Sequence, residues 1–201
     1  EGECHYSTGN LEAQVKMDLT RRVLARSGID PARLALRMMS SAEGAKFASY
    51  VAEFVATIDE LGPIRGDGEG GLLPLGVRLE AARMAVEGKK LRWIAGKATT
   101  FEADGNLYGE FFTEHELGRL FEEVIGDEYA RHLILLIMRD DGKEGVSATD
   151  LAKMLERRPA VVLRHLVELR RLGLVDVADI RGTTPVWYAL PERVGGECSA
   201  G

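Results

Sequence analysis

The chain has 201 residues, 45% of them apolar and 29% charged, with a formal net charge of -6. That is ordinary composition for one large or two small globular domains, and the acidic balance excludes a generic nucleic-acid binder. No run approaches the roughly 18 apolar residues that cross a bilayer, and the two cysteines, Cys4 and Cys198, stand too far apart in sequence to suggest a disulfide framework; a reducing cytoplasm is the expected compartment, with no membrane partner.

Glu1 to Asn10 reads EGECHYSTGN, with Gly9-Asn10 as a turn and helix-entry signal. Leu11, Val15, Leu19 and Val23 recur every four residues and predict a helix to about Arg26, closed by Ser27-Gly28, with a loop at Asp30-Pro31. Leu34, Leu36 and Met38 then alternate with Arg33, Ala35 and Arg37, which predicts a strand over 33–39. Ser40 and Glu43 form a capping box. The helix that follows carries Phe47, Val51, Phe54, Val55 and Ile58 on one stripe and ends at Gly62-Pro63. That single strand has no strand partner among residues 1–62, and a lone strand leaves its backbone groups unpaired and its sheet face open. The expectation is that the sheet lies in residues before Glu1 or on another chain. The missing initial methionine agrees with truncation, and an in-frame codon read as a stop would account for the start equally well.

Arg65 to Gly71, RGDGEGG, reads as a flexible linker, because it lacks the preceding strand and closing lysine of a phosphate-cradling loop. Val77 to Ala95 predicts a helix that turns basic toward its end, with Lys89, Lys90 and Arg92, followed by Lys97. A solvated face is the plainer reading of those cations, and a dock for an acidic partner the sharper one. Asp104-Gly105-Asn106 predicts a hairpin turn within 99–108. Thr113-Glu114-His115-Glu116 opens a helix through Leu117, Leu120, Phe121 and Val124, with His115 on the surface.

Residues 127–190 have a definite order: an apolar helix from Glu128 to Arg139, a loop at 142–145, and a short helix over 148–156 capped by Ser147. A third helix starts at Pro159, with Val162, Leu163, Leu166, Leu169 and Leu172 as its apolar face, and Gly173 ends it. Strands over 174–177 and 185–190 flank a turn at 179–184. This is the order of a winged helix–turn–helix, and LRHLVELRRLGLV (Leu163–Val175) resembles the ArsR/MarR-like winged-helix class. Arg157, Arg158 and Arg164 are candidates to reach phosphates, with Arg181 on the wing, whereas Pro159, Ala160 and Val161 offer little to base edges. Ten acidic and ten basic residues in 127–190 leave no cationic excess for nonspecific phosphate binding. Protein docking and DNA binding both remain open for this domain. The fold class is therefore α+β: a helix–strand–helix fragment (1–63), a linker and helical segment (64–126), a winged helix (127–191) and a flexible tail (192–201).

Gly2-Glu3-Cys4-His5-Tyr6, Gly9-Asn10, the run from Ser40 through Glu43-Gly44 to Phe47, and FVATIDELGPI (Phe54–Ile64) together carry a resemblance. Residues 3–63 closely resemble the methyl-viologen-reducing hydrogenase delta-subunit family, the iron–sulfur subunit that links a nickel–iron hydrogenase or another electron-donating module to heterodisulfide reductase. The resemblance does not extend over 65–201. It implies a small α/β domain holding a [2Fe-2S] cluster through cysteine thiolates, a one-electron carrier with four protein ligands. Cys4 matches a family ligand position, and the family's other cysteines fall before Glu1, so the cluster is not expected to assemble on this chain alone. His5 and Tyr6 match the motif and are expected to pack or hydrogen-bond around the cluster rather than ligate it. Cys198 matches no family position and reads as an exposed thiol.

No nucleophile–base pair suggests hydrolysis, so no catalytic residue is assigned. His5, His115, His132 and His165 lack metal-ligand spacing, and the last two read as packing residues on helix faces. The leading expectation is a non-catalytic electron-transfer subunit. It would pass electrons between a hydrogenase-like or other donor and the flavin subunit of heterodisulfide reductase, with the winged helix as its docking module. The alternative is a redox-responsive, homodimeric winged-helix regulator that binds operator DNA through Arg157, Arg158, Arg164 and Arg181. A structural adaptor without a cluster is a third reading.

Overall fold

The computed structural model describes residues 9–40, 42–64, 73–103, 113–140 and 145–191. It divides into two compact units, residues 1–129 and residues 130–201. The described residues are mostly helical, with one small antiparallel sheet, an α+β content.

In the first unit, α1 (Gly9–Arg26) ends as its sequence predicts. Gly28 is left-handed (φ 78°), its N–H donates to the Ala25 carbonyl, and the Ile29 N–H reaches back to the Leu24 carbonyl at 2.9 Å. This pair of bonds is a Schellman closure, and it needs a residue that takes a positive φ without strain. Asp30 then caps a single 3-10 turn, Pro31–Arg33, by accepting from the Ala32 N–H at 2.8 Å.

The strand expected over 33–39 does not form. Residues 34–40 carry no ladder, although Leu34 has extended dihedrals (φ -130°, ψ 118°). A strand is defined by its partner, and among the described residues of this unit none pairs with it. The segment is held instead by side chains: Arg21 donates from Nε and Nη2 to the Leu34 carbonyl at 3.2 and 3.0 Å.

Helix α2 (Gly44–Leu61) follows. Half of the predicted capping box is present, since the Ser40 N–H donates to Glu43 Oε2 at 2.8 Å, while the Ser40 hydroxyl accepts from Ala42 rather than Glu43. Arg33 closes the far end by donating to the Leu61 and Gly62 carbonyls at 3.0 and 2.6 Å, a cation placed where a helix dipole is negative. The expected apolar stripe exists but is not buried: Phe47, Val51 and Val55 are exposed, and no residue of α2 enters the core.

The helix predicted over 77–95 is two helices, α3 (Leu75–Glu87) and α4 (Lys89–Ala103), interrupted at Gly88. Arg78, Ala81, Ala82 and Ala85 form the buried face of α3, and Leu91, Ile94 and Ala98 that of α4. The alanines let the helices approach closely, which small side chains permit and Leu would not. Helix α4 runs through Thr99, so the expected hairpin is displaced by helix there; Asp104-Gly105-Asn106 and the linker 65–71 lie outside the described residues.

The helices expected at 113–124 and 128–139 are one, α5 (Glu114–Asp140). Its start is a full capping box: the Thr113 N–H donates to Glu116 Oε2 at 2.9 Å, and the Thr113 hydroxyl accepts from the Glu116 N–H at 3.3 Å. Nothing between Leu117 and Arg139 breaks it, since Gly118 and Gly126 are each only mildly unfavourable in a helix. Leu117, Phe121, Ile125 and Tyr129 are its buried positions in the first unit.

In the second unit, the end of α5 supplies buried Leu133, Ile134, Leu135, Ile137 and Met138. A short strand β1 (Val146–Ser147) leads into α6 (Ala148–Met154), where Ser147 accepts from the Asp150 N–H at 3.1 Å, the cap read from sequence. Helix α7 (Pro159–Arg171) has Pro159 in its first turn and a Schellman closure at Gly173 (φ 72°). Strand β2 (Val175–Arg181) is longer than expected, because the turn is only Gly182-Thr183, and β3 (Thr184–Ala189) keeps its expected length one residue earlier. The sheet has the order β1-β3-β2, all antiparallel, with Val146 opposite Trp187 and a bulge between Val177 and Asp179. Strand β1 has no signal in the sequence; two residues beside a glycine give no period to read.

Candidate functional site

Cys4, His5 and Tyr6, the residues singled out for redox chemistry, lie outside the described residues, as does Cys198. What the structure describes is the helix that follows them in the chain and its surroundings. Helix α1 begins at Gly9, and its first turns face the start of α5 across a cavity of about 490 Å³. Leu11, Val15, Leu117 and Phe121 form the apolar wall, and Asp18 and Arg22 the polar one.

Below this cavity α1 is tied to α5 by a charge network that sequence reasoning missed. Arg22 Nε meets Asp18 Oδ2 at 2.7 Å and its Nη1 meets Glu122 Oε1 at 2.9 Å, while Arg26 Nη2 meets Glu122 Oε2 at 2.8 Å. A Cβ at Gly118 would sit 3.3 Å from the Arg22 guanidinium, and one at Gly126 3.1 Å from that of Arg26. The two glycines of α5 thus leave the space in which both guanidiniums lie. The hydrogen bond from Arg26, opposed by desolvation and joined by that from Arg22, holds the Glu122 carboxyl below its usual range. Burial alone would pull the Arg22 guanidinium down, but Asp18 and Glu122 outweigh it, and the group is pushed up.

A group with a lowered folded pKa stabilises above its unfolded value, here 4.5, and that stabilisation fades as pH falls through the folded pKa. Glu122→Gln is accordingly expected to lower the stability of the first unit at pH 7 by less than about 1 kcal/mol, since the pair is partly solvent-screened. Denaturant midpoints of the two proteins should converge below pH 4.5; a constant difference across pH would assign the loss to packing instead.

A [2Fe-2S] cluster needs four protein ligands, and the sequence holds two cysteines. Among the described residues no group of three or more His, Cys, Asp or Glu could hold a metal ion. Two cysteines are fewer than the four thiolates of an all-cysteine cluster.

In the second unit the structure places the four candidate arginines on the surface. Arg157 and Arg158 precede α7, Arg158 being its N-cap; Arg164 is on α7; Arg181 ends β2 beside the hairpin turn. The inward face of α7 is Val162, His165, Leu166 and Leu169. Leu163 and Leu172, read from sequence as part of that face, point out instead, and Val167 joins them, at 41%, 59% and 55% exposure. The correction follows from helix geometry, because 162, 165, 166 and 169 already fill the roughly 100° arc that packs inward. His165 is 3% exposed, within that packed face. His115 is exposed. No helix among the described residues is long and apolar enough to cross a membrane.

The family model for the methyl-viologen-reducing hydrogenase delta subunit matches residues 1–62, up to the cap of α2. The chain is 44% identical over 64 residues to an F420-non-reducing hydrogenase iron–sulfur subunit of Archaeoglobus profundus, a match covering 32% of this chain and 47% of that one. It is 41% identical over 63 residues to the vhu iron–sulfur subunit of the F420-non-reducing hydrogenase of Methanocaldococcus jannaschii, covering 31% and 47%. It is also 42% identical over 62 residues to one subunit of the ferredoxin:CoB-CoM heterodisulfide reductase of Methanosarcina mazei, covering 31% of this chain and 8% of that protein. The chain thus spans about half the length of the hydrogenase subunits and under a tenth of the reductase subunit. No solved structure matches it.

Proposed function

We propose that this chain belongs to an electron-transfer subunit of a hydrogenase–heterodisulfide reductase assembly. Cys4 supplies one thiolate to a [2Fe-2S] cluster whose other ligands come from outside these 201 residues. The observation that carries the reading is the family match itself: it covers Cys4 and stops where α2 stops, so it follows a structural boundary. The exposed stripe of Phe47, Val51 and Val55 fits the same picture. Relatives about twice the matched length have further chain with which to cover that face.

When bound, such a cluster supplies one-electron transfer. The residues here would position it: α1 carries the cysteine segment at its N-terminal end, and the Arg22–Glu122–Arg26 network fixes α1 against α5. Electrons would run between a hydrogenase-like or other donor and the flavin subunit of heterodisulfide reductase, in a cytoplasmic complex. In the second unit, the order helix, β1, α6, α7, hairpin is read as a winged helix. Leu163 and Val167 on the outward face of α7 support a docking role, since an apolar recognition face reads base edges poorly.

The test is anaerobic purification of the full-length gene product with its partners, counting iron and acid-labile sulfide. Two irons per protein chain, lost together with the reduced-cluster EPR signal in Cys4→Ser while reductase and hydrogenase subunits still co-purify, is the expected result. Full iron content in Cys4→Ser would remove Cys4 from the ligand set. Tight, salt-dependent binding to a specific DNA site, weakened by Arg157→Ala and Arg181→Ala, would replace docking with the regulator reading.

A further inference from the structure

A second surface of the first unit has no part in the cluster reading. Trp93, on α4, is 59% exposed, which is unusual for the largest apolar side chain, and its ring meets Phe101 in a tilted pair with centroids 5.7 Å apart. Beside it a groove of about 440 Å³ runs between α4 and α5, floored by Ile94, Leu120 and Val124. Its polar lining comes from Lys89 and Lys90 at one end.

The α4 side of this groove is cationic. Residues 89–97, KKLRWIAGK, hold four cations and no acid. Lys89 and Lys97 stand one helical turn to either side of Trp93 on the same face of α4. Lys90 is anchored by Glu128 at 2.9 Å. Among the described residues no ion pair engages Lys89, Arg92 or Lys97. A chain with net charge -6 thus concentrates unpaired cations around an apolar slot.

The geometry points to a docking site for an acidic, amphipathic protein segment: apolar anchor side chains fill the α4–α5 groove against Trp93, and flanking carboxylates meet Lys89 and Lys97. Charge complementarity selects an acidic occupant, and the floor selects an apolar anchor. Nucleic acid fits less well, because Ile94, Leu120 and Val124 offer no donor or acceptor to a base edge. An anionic bilayer fits less well, because a concave slot with one aromatic residue gives no continuous insertion face. The site is independent of the cluster and would stand if that reading failed.

The experiment uses the whole chain and Trp93 emission, with Trp187 (4% exposed) as the unmoved internal reference. The probes are a panel of about 18-residue helical peptides with Leu or Phe at i, i+3, i+4 and i+7 and Glu elsewhere, and the same peptides with every Glu replaced by Gln. Single-stranded oligo-dT and phosphatidylserine–phosphatidylcholine vesicles complete the set. The expected result is a blue shift of Trp93 with an acidic peptide at a Kd on the order of 10 μM in low salt. Lys89→Glu with Lys97→Glu, and separately Trp93→Ala read by anisotropy of labelled peptide, should each weaken binding at least about tenfold, while Trp93→Phe retains most of it. The proposal is overturned if no panel peptide binds below about 1 mM, if Gln peptides bind as tightly, or if Trp93→Ala binds normally. Preference for oligo-dT or vesicles overturns it too, as does a blue shift with chain concentration alone accompanied by dimer formation in sedimentation, which would make a second copy the occupant.

Discussion

Replacing Leu166 with alanine is expected to destabilise the second unit by about 3–4 kcal/mol, the middle of the range for a buried leucine truncation. Leu166 is fully buried on the inward face of α7, in a unit that also fully buries Ile134 of α5 and Leu151 of α6. Removing three carbons there leaves a void bounded by regular helices, which move as rods rather than closing around a missing side chain. The readout is Trp187, buried on β3 of the same unit, whose emission should move to lower denaturant concentration. Leu172→Ala is the internal control. Leu172 is 59% exposed at the end of α7, so its truncation should cost no more than about 0.5 kcal/mol. The sequence stripe alone would assign both leucines the same cost, so the pair tests the corrected facing of α7. Equal losses would restore the face read from the sequence.

The difference between those two leucines shows which structural facts were readable. Strong local signals survived: the glycines at 28 and 173 stop their helices with positive φ, Ser147 caps α6, and Pro159 begins α7. Each depends on a few neighbouring residues. The alternation at 33–39 corresponds to a segment extended at Leu34 without a ladder, because a ladder requires a partner at the right distance and none lies among the described residues of this unit. The stripe on α2 was read correctly as apolar, but periodicity cannot say whether anything covers it. Gly88 and Gly126 look alike in sequence, yet helix stops at the first and passes the second. Arg26 and Glu122, almost a hundred positions apart, meet over Gly126, and no local pattern reports that meeting. The redox assignment rests on motif resemblance around Cys4. The Trp93 groove had only the basic run 89–97 as its signal, and the run gave charge without the apolar floor that makes a slot of it.

The second large effect concerns the corner where α1 ends. Arg78 of α3 is buried to 9% exposure and donates from Nη1 to the Ser27 carbonyl at 2.7 Å. That carbonyl belongs to the last turn of α1, where the dipole is negative and the acceptors lack intrahelical donors. The guanidinium lies so close over Gly28 that a Cβ there would overlap Nη1. Tyr129 shares the corner, its phenol pushed up by burial and pulled back in smaller part by Ser27, Arg78 and Arg26. Gly28→Ala therefore meets two penalties. The left-handed backbone costs about 1–2 kcal/mol for any residue with a Cβ, and the displaced Arg78 loses a charge-assisted hydrogen bond, bringing the total to about 2–3 kcal/mol. Arg78→Ala alone should cost about 2–3 kcal/mol, from that bond and the void left in the corner. The double variant should cost less than the sum, by about 1 kcal/mol, because without the guanidinium only the backbone penalty of Gly28→Ala remains. Urea unfolding followed by far-UV circular dichroism on the four proteins measures the coupling directly. Strict additivity would mean that the Gly28 cost is all backbone, and that Arg78 yields its place without losing the Ser27 carbonyl.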